Sequence, residues 1–272
     1  LDILVRTGEV ARAEQLLLAE GYTPLMHKPP LTAMQFRRYM QYRHHFVYQK
    51  PADQTRLELH WAIREPYFGQ PKADSLFTRR QPLTLGNSLT IQTLSDEDAL
   101  INSLLHGATH HWNRAKYFLD LFGLLARPSL DFGQIGQIIA ACRIERPAAQ
   151  GLQLGREFFG CEIPATLWGC LQIENRSLSY VTAAARREFL ARQAETTPPP
   201  GHRLWYDTHL QPGLKPFLDT LTAAWLSPYY WLQVPLPDAL FGLYFLIVPG
   251  LAIWQKVILA LLHKNAENKS LN

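Results

Sequence analysis

Cysteine is scarce in this chain. Its 272 residues include three, Cys142, Cys161 and Cys170, odd in number and widely spaced. That excludes a disulfide framework and a zinc-finger spacing, and it fits a reducing cytoplasm. Charge is muted as well. Lys and Arg number 27 against 23 Asp and Glu, a net charge of +4 at pH 7, which allows an anionic substrate but gives no ground for expecting nucleic acid as a partner. The glycine signatures of common enzymes are missing. No G-x-x-x-x-G-K-[ST], G-x-G-x-x-G or G-x-S-x-G occurs, which argues against a P-loop kinase, a Rossmann dehydrogenase and a serine hydrolase. No repeat of fixed period is present. Leu1–Val5 has neither the basic leader nor the small-residue cleavage site of a signal peptide.

Apolar runs fall short of what a membrane span needs. The C-terminal stretch between Asp238 and Lys256 has 17 uncharged residues, mostly apolar, broken by Gly242, Pro249 and Gly250. A spanning helix takes roughly 20 apolar residues. Core packing of a terminal helix pair and peripheral contact with a membrane surface through 238–262 both stay open.

What is present reads as a globular α+β protein. Apolar residues make up 47% and charged residues 18%, enough to build a core without metal or disulfide support. Leu1–Val5 reads as a strand. Glu9 to Glu20 reads as a helix, with Gly21 as its stop. His45–Tyr48 and Arg56–Trp61 are rich in strand formers, with a turn at Pro51–Gln54. Leu57, Leu59 and Trp61 alternate with Arg56, Glu58 and His60, so Glu58 and His60 share the polar face of a half-buried strand. A further short strand is expected at 89–94. From Ser95 the pattern turns helical. Ser95-Asp96-Glu97-Asp98 is an N-cap with an acidic first turn, opening a helix to about His111. Further helices are expected at 116–126, 131–143, 148–160 and 180–194, and the run 194–201, with Pro198-Pro199-Pro200, reads as a linker. This predicts an α+β part over 1–94 and an all-helical part over 95–272.

Three groups of residues could carry chemistry. Asp2 and Glu58 are acidic side chains on strands, where such residues are disfavoured. Together they suggest a site for a hard divalent ion; alone, Glu58 could do no more than pair with Arg56 or Arg64. His106 and His110 stand four apart on one helix face, but no Glu occupies the position of an H-E-x-x-H base, which weakens a zinc-hydrolase reading. Lys116 and Asp120 are also four apart, close to Arg114 and among the aromatics Trp112, Tyr117 and Phe118. They could form an ordinary helix ion pair, or Lys116 could reach a triphosphate.

The order of these pieces resembles a known family. Leu-Asp-Ile-Leu-Val at 1–5, Glu20-Gly21-Tyr22, His44-His45-Phe46-Val47-Tyr48, Leu57-Glu58-Leu59-His60-Trp61, Ser95-Asp96-Glu97-Asp98, and Leu105-His106-Gly107-Ala108 followed by His110, Trp112, Arg114, Lys116 and Asp120 are similar to the uncharacterised nucleotidyltransferases found beside bacterial polysaccharide and peptide-natural-product genes. The resemblance implies a polymerase-β-like nucleotidyltransferase fold and transfer of an NMP group from an NTP to an acceptor hydroxyl. It implies two Mg2+ ions held by an Asp-x-Asp pair and a third carboxylate. Asp2 would be the second Asp and Glu58 the third carboxylate. Lys116, Asp120 and Arg114 would lie near the triphosphate, with His60 beside the carboxylates. The first Asp and a Gly-Ser turn would then stand before Leu1, so residue 1 is expected to fall inside the metal-binding strand. The alternative is a catalytically degenerate binding or scaffolding member of a membrane-associated biosynthetic system.

Overall fold

A computed structural model describes residues 1–26, 31–86, 88–171, 176–193, 202–234, 236–251 and 254. The architecture is α+β. The first strand, β1, is Asp2–Leu4, followed by a 3-10 turn and helix α1 at Val10–Ala19. After a two-residue strand β2 (Thr23–Pro24), helix α2 (Ala33–Tyr42) leads into β3 (His45–Lys50) and β4 (Thr55–His60). The sheet order is β1-β4-β3-β2, with β1 parallel to β4 and the other pairs antiparallel.

The alternation in β4 sorts the sheet into two faces. Leu57 and Leu59 are buried together with Phe46 and Tyr48 of β3 against Val10, Tyr39 and Tyr42 of the first two helices. The opposite face presents Glu58 and His60 beside His45, since Cα positions pair His45 with His60 in one direction and Asp2 with Glu58 in the other. Helix α2 is an addition to the elements expected from the sequence, where 24–44 reads as a connection. Its N-terminus is a capping box: the Thr32 side chain accepts from Gln35 N, and the Gln35 side chain accepts from Thr32 N. Asp238, far along the chain, accepts from Met34 N and from the Thr32 hydroxyl, fixing that helix start from outside.

Helix α3 (Ala73–Arg79) and an antiparallel hairpin of β5 (Gln81–Leu85) and β6 (Leu89–Thr93) follow. The helical array comprises α4 (Asp96–Thr109), α5 (Ala115–Leu125), α6 (Phe132–Cys142), α7 (Glu145–Phe159), α8 (Ala165–Gly169), α9 (Arg176–Gln193), α10 (His202–Leu210), α11 (Leu214–Trp225) and α12 (Pro228–Trp231). One core joins α4 to α10; a second joins the sheet to Ala223, Leu226, Trp231, Phe241, Tyr244 and Val248. The apolar C-terminal run is thus divided. Phe241, Tyr244 and Val248 are buried, whereas Leu240, Leu243, Phe245 and Leu246 are exposed. No helix among the described residues is long and apolar enough to cross a membrane. The predicted linker at 194–201 lies outside the described residues.

Two local features hold the helical array in place. Ser95 caps α4 as expected, its hydroxyl accepting from Asp98 N, and the fully buried Asp98 accepts two hydrogen bonds from the Arg79 guanidinium at 2.8 and 2.6 Å. Ser95→Ala is therefore expected to lower unfolding free energy by about 1 kcal/mol, read as a lower urea midpoint with unchanged slope; an unchanged midpoint would show the cap to be redundant. The second feature is Trp112, fully buried. Its ring lies against the backbone at Gly107 and Gly151, where any Cβ would come closer than 3.0 Å to ring carbons. Glycine at 107 thus makes room for the tryptophan five residues later.

Candidate active site

The polar face of the sheet forms one wall of a cavity of about 850 Å3. Asp2, His45, Glu58 and His60 come from the strands. Phe77, Arg80 and residues 91–94 come from α3 and the hairpin, and Asn102, His106, Thr109, His110 and Arg203 come from the helical array. The sequence separation is large, but the geometry is simple: β1 and β4 run parallel in a register that sets Asp2 opposite Glu58.

The donor set at the sheet fits a divalent ion. Asp2, Glu58 and His60 each offer a ligand atom, all within 4.8 Å of one another. Glu58 Oε2 stands 3.4 Å from His60 Nε2 and 3.7 Å from His45 Nε2. His60 Nε2 is nevertheless buried without a hydrogen-bond partner. Arg56 reaches Glu58 Oε1 only at 3.8 Å from a largely exposed side chain, a contact too solvated to account for the carboxylate. The imidazoles are kept neutral. Burial, and then the neighbouring cationic groups, push His45 down to about 3 and His44 still lower. Burial also lowers His60, although Asp2 and Glu58 pull it the other way.

The cavity lining also holds a cation that the sequence pattern did not mark as a site residue. Arg64 is 6% exposed. It donates to Asn102 Oδ1 at 3.0 Å, its Nε is buried without a partner, and among the described residues no carboxylate lies within 4.0 Å of its guanidinium. Burial brings its pKa down to about 10, against the opposing pull of the Glu65, Asp2 and Glu58 charges, and it is still charged at neutral pH. A buried guanidinium with no carboxylate in direct contact is costly, and an anionic ligand in the cavity would offset part of that cost. Arg80 and Arg203 line the same space.

His106 and His110 line the cavity too, but as rings. They lie 4.6 Å apart between centroids, and His110 stacks on Tyr117 at 5.5 Å. Burial, followed by the Arg64 charge, pushes them down to about 3 and about 4. Neither belongs to a three-residue metal-competent cluster among the described residues. Lys116, Asp120 and Arg114 are exposed at the start of α5 and along it, outside the cavity lining. Trp112, Tyr117 and Phe118 are buried as expected, but the helix period puts Lys116 on the opposite, solvent side, with Nζ 5.1 Å from the Tyr117 ring centroid.

A family model described as an uncharacterised nucleotidyltransferase matches residues 1–160, more than half of the chain. The chain belongs to this family. No curated protein and no solved structure matches it. In this nucleotidyltransferase the matched span runs from β1 to the end of α7, so it contains both strand carboxylates, the histidine cluster and Arg64. Arg203, which closes the cavity from α10, lies beyond it.

Proposed function

We propose that the protein transfers a nucleotidyl group from a nucleoside triphosphate to an acceptor hydroxyl in a metal-dependent reaction. One observation carries this reading: two strand carboxylates in register, Asp2 and Glu58, line the same cavity as the buried Arg64, whose Nε has no hydrogen-bond partner. Asp2 and Glu58 would hold a divalent metal ion, two Mg2+ ions being what the family resemblance implies. A divalent ion there supplies charge neutralisation for the triphosphate and activation of the attacking hydroxyl. The chain's own groups do the rest. Arg64, oriented by Asn102, provides a fixed fork for phosphate oxygens, and Arg80 and Arg203 add positive potential at the rim. The neutral His106 and His110 rings, backed by Tyr117, offer aromatic contacts for a nucleobase. Lys116, Asp120 and Arg114 remain candidates for contact with the part of the substrate that projects from the cavity. A non-catalytic scaffolding role at a membrane would need neither the paired carboxylates nor the buried guanidinium. Solution in the cytoplasm fits the chemistry of a nucleotide donor.

Titration of the protein with Mg-ATP and the other Mg-NTPs tests the reading. Saturable binding of at least one nucleotide is expected, weakened roughly ten- to hundredfold by Arg64→Ala, the size of losing a hydrogen bond between charged groups. No binding, or binding indifferent to Glu58→Ala, would sink the assignment.

A further inference from the structure

We infer that the metal position at Glu58 is built for a first-row transition ion of the Mn2+, Co2+ or Zn2+ class, with His60 and His45 as nitrogen ligands and His44 and Glu65 as their support. This rests on the reading of Asp2 and Glu58 as the metal-holding carboxylates, and it adds the identity of the ion.

The argument begins with a lone pair. His60 Nδ1 lies 3.4 Å from Ala62 O and has a proton to donate there. Nε2 is then the unprotonated nitrogen. It is buried, without a hydrogen-bond partner, and 3.4 Å from Glu58 Oε2. Two acceptors facing each other in a buried site repel. Something positive between them removes the conflict. Bonds of about 2.1 Å to a shared ion place neighbouring ligand atoms roughly 3.0–3.4 Å apart, close to the separation seen.

His45 has the same arrangement one strand over. Its Nε2 stands 3.7 Å from the same Glu58 oxygen. Its Nδ1 is 3.0 Å from His44 Nε2, and His44 Nδ1 faces Glu65 Oε1 at 3.5 Å. One proton assignment is consistent along the row, with Glu65 as the nearest carboxylate to a His44 Nδ1 that has no hydrogen-bond partner. His44 Nδ1–H points to the Glu65 carboxylate, His45 Nδ1–H donates to His44 Nε2, and His45 Nε2 is left as a bare lone pair toward Glu58. Ligating histidines are oriented through their second nitrogen by a carboxylate or carbonyl in this way. The strand register explains why the rings converge, since His45 and His60 are direct cross-strand partners with centroids 4.8 Å apart. Magnesium takes oxygen ligands almost exclusively. Imidazole nitrogens favour the later divalent ions.

The test uses Co2+ as the probe, without nucleotide. Wild-type protein titrated with CoCl2 is expected to bind at least about tenfold more tightly than it binds Mg2+, following the order of nitrogen-site affinities. It should also show strongly shifted, solvent-exchangeable imidazole N–H signals in the proton NMR spectrum. His60→Ala and His45→Ala should each weaken Co2+ binding by at least about tenfold, as losing a metal ligand or its support does. If either variant fails to fold, the wild-type spectrum decides. Equal affinity for Co2+ and Mg2+, or a Co2+ complex without shifted imidazole protons, overturns the inference. Such a result alongside Glu58-dependent Mg-NTP binding leaves the nucleotidyltransferase reading standing. Glu58→Gln protein that binds both ions as the wild type does removes the metal site itself.

Discussion

Glu58→Gln protein is expected to fold normally and to lose nucleotidyl transfer by at least about 10^3-fold, the scale of removing one strong electrostatic contact from a reaction's transition state. The substitution keeps the side-chain volume and removes one negative charge. Glu58 contributes its backbone to both neighbouring strands, through Asp2 on one side and Val47 on the other, and neither pairing depends on the carboxylate. Its side chain packs in neither core; the buried positions of β4 are Leu57 and Leu59. Stability should therefore change by no more than about 0.5 kcal/mol, as for a partly exposed position away from caps and cores. The chemistry loses far more. Glu58 Oε2 is the atom on which His45 and His60 converge, and on the proposed reading its loss leaves Asp2 as the one strand carboxylate to hold the metal ion. Transfer of radiolabel from an α-labelled NTP, followed alongside circular dichroism, separates the two effects. A folded variant with near-wild-type transfer would remove Glu58 from the mechanism.

The residues of β4 show how far the sequence could be read. Strict alternation from Arg56 to Trp61 places Leu57 and Leu59 in a core and Glu58 and His60 on a polar face, and the structure has them so. Helix α4 was legible because a cap, an acidic first turn and apolar positions agree with each other; α5, α6, α7 and α9 were found near their bounds, whereas the five-residue α8 was not. Where such agreement was lacking, elements were lost. Helix α2 carries Gln35, Arg37, Arg38 and Gln41 among its ten residues, and its buried positions are Gln35 and two tyrosines, Tyr39 and Tyr42. No aliphatic stripe marks it; its Thr32-x-x-Gln35 capping box was the signal that could have revealed it. Strand β5 begins Gln81-Pro82 and pairs with β6 alone among the described residues, where an edge tolerates proline. The site was half legible for a related reason. Asp2, Glu58 and His60 stand out as polar residues in strand sequences. Arg64 and Arg203 do not, because an arginine in a loop or a helix start reads as solvated; only the fold shows that Arg64 is enclosed. Lys116 shows the opposite case: buried aromatic neighbours at 112, 117 and 118 do not bury a residue on the other side of the helix.

His111 is expected to be the most costly single position outside the cavity, and its contribution should depend on pH with a definite sign. The residue is 2% exposed and sits at the corner between α4 and α5. Its Nδ1 donates to Glu188 Oε2 of α9, and its Nε2 to Asp207 Oδ1 of α10 at 3.4 Å. Asn113 donates to the other Glu188 oxygen at 3.1 Å, His202 Nδ1 faces the Glu188 Oε2 at 3.8 Å, and the Tyr206 ring covers the imidazole at 3.9 Å. An imidazole donating from both nitrogens is an imidazolium. Burial works against that charge, but the two carboxylates outweigh it and leave the pKa raised. Glu188 is likewise opposed by burial yet held low by His111 and Asn113. These contacts fix an expensive backbone: His111 and Trp112 have φ of 57° and 51°, two adjacent side-chain-bearing residues in the left-handed region. The raised His111 pKa means that its stabilisation is complete below the ordinary histidine value of about 6.5 and disappears as pH rises through the native value. The lowered Glu188 pKa gives the mirror image: its share is complete above the ordinary value of about 4.3 and fades as pH falls through the native one. Taken by itself this pair is worth most between roughly pH 5 and pH 6.5, but the buried neutral histidines of the cavity, whose pKa values are lowered, withdraw stability as pH falls below about 6.5. The His111 share is therefore read as the wild-type-minus-variant difference in urea unfolding, larger at pH 6 than at pH 9. His111→Ala should lose about 3 kcal/mol at pH 6, since removal of one partner strands buried carboxylates. His111→Asn, which tolerates the left-handed backbone, should lose less, and both variants should show a flatter decline at alkaline pH than the wild type. A wild-type-minus-variant difference that is the same at pH 6 and pH 9 would mean that His111 is neutral in the native protein and that packing against Tyr206, rather than charge, holds the three helices together.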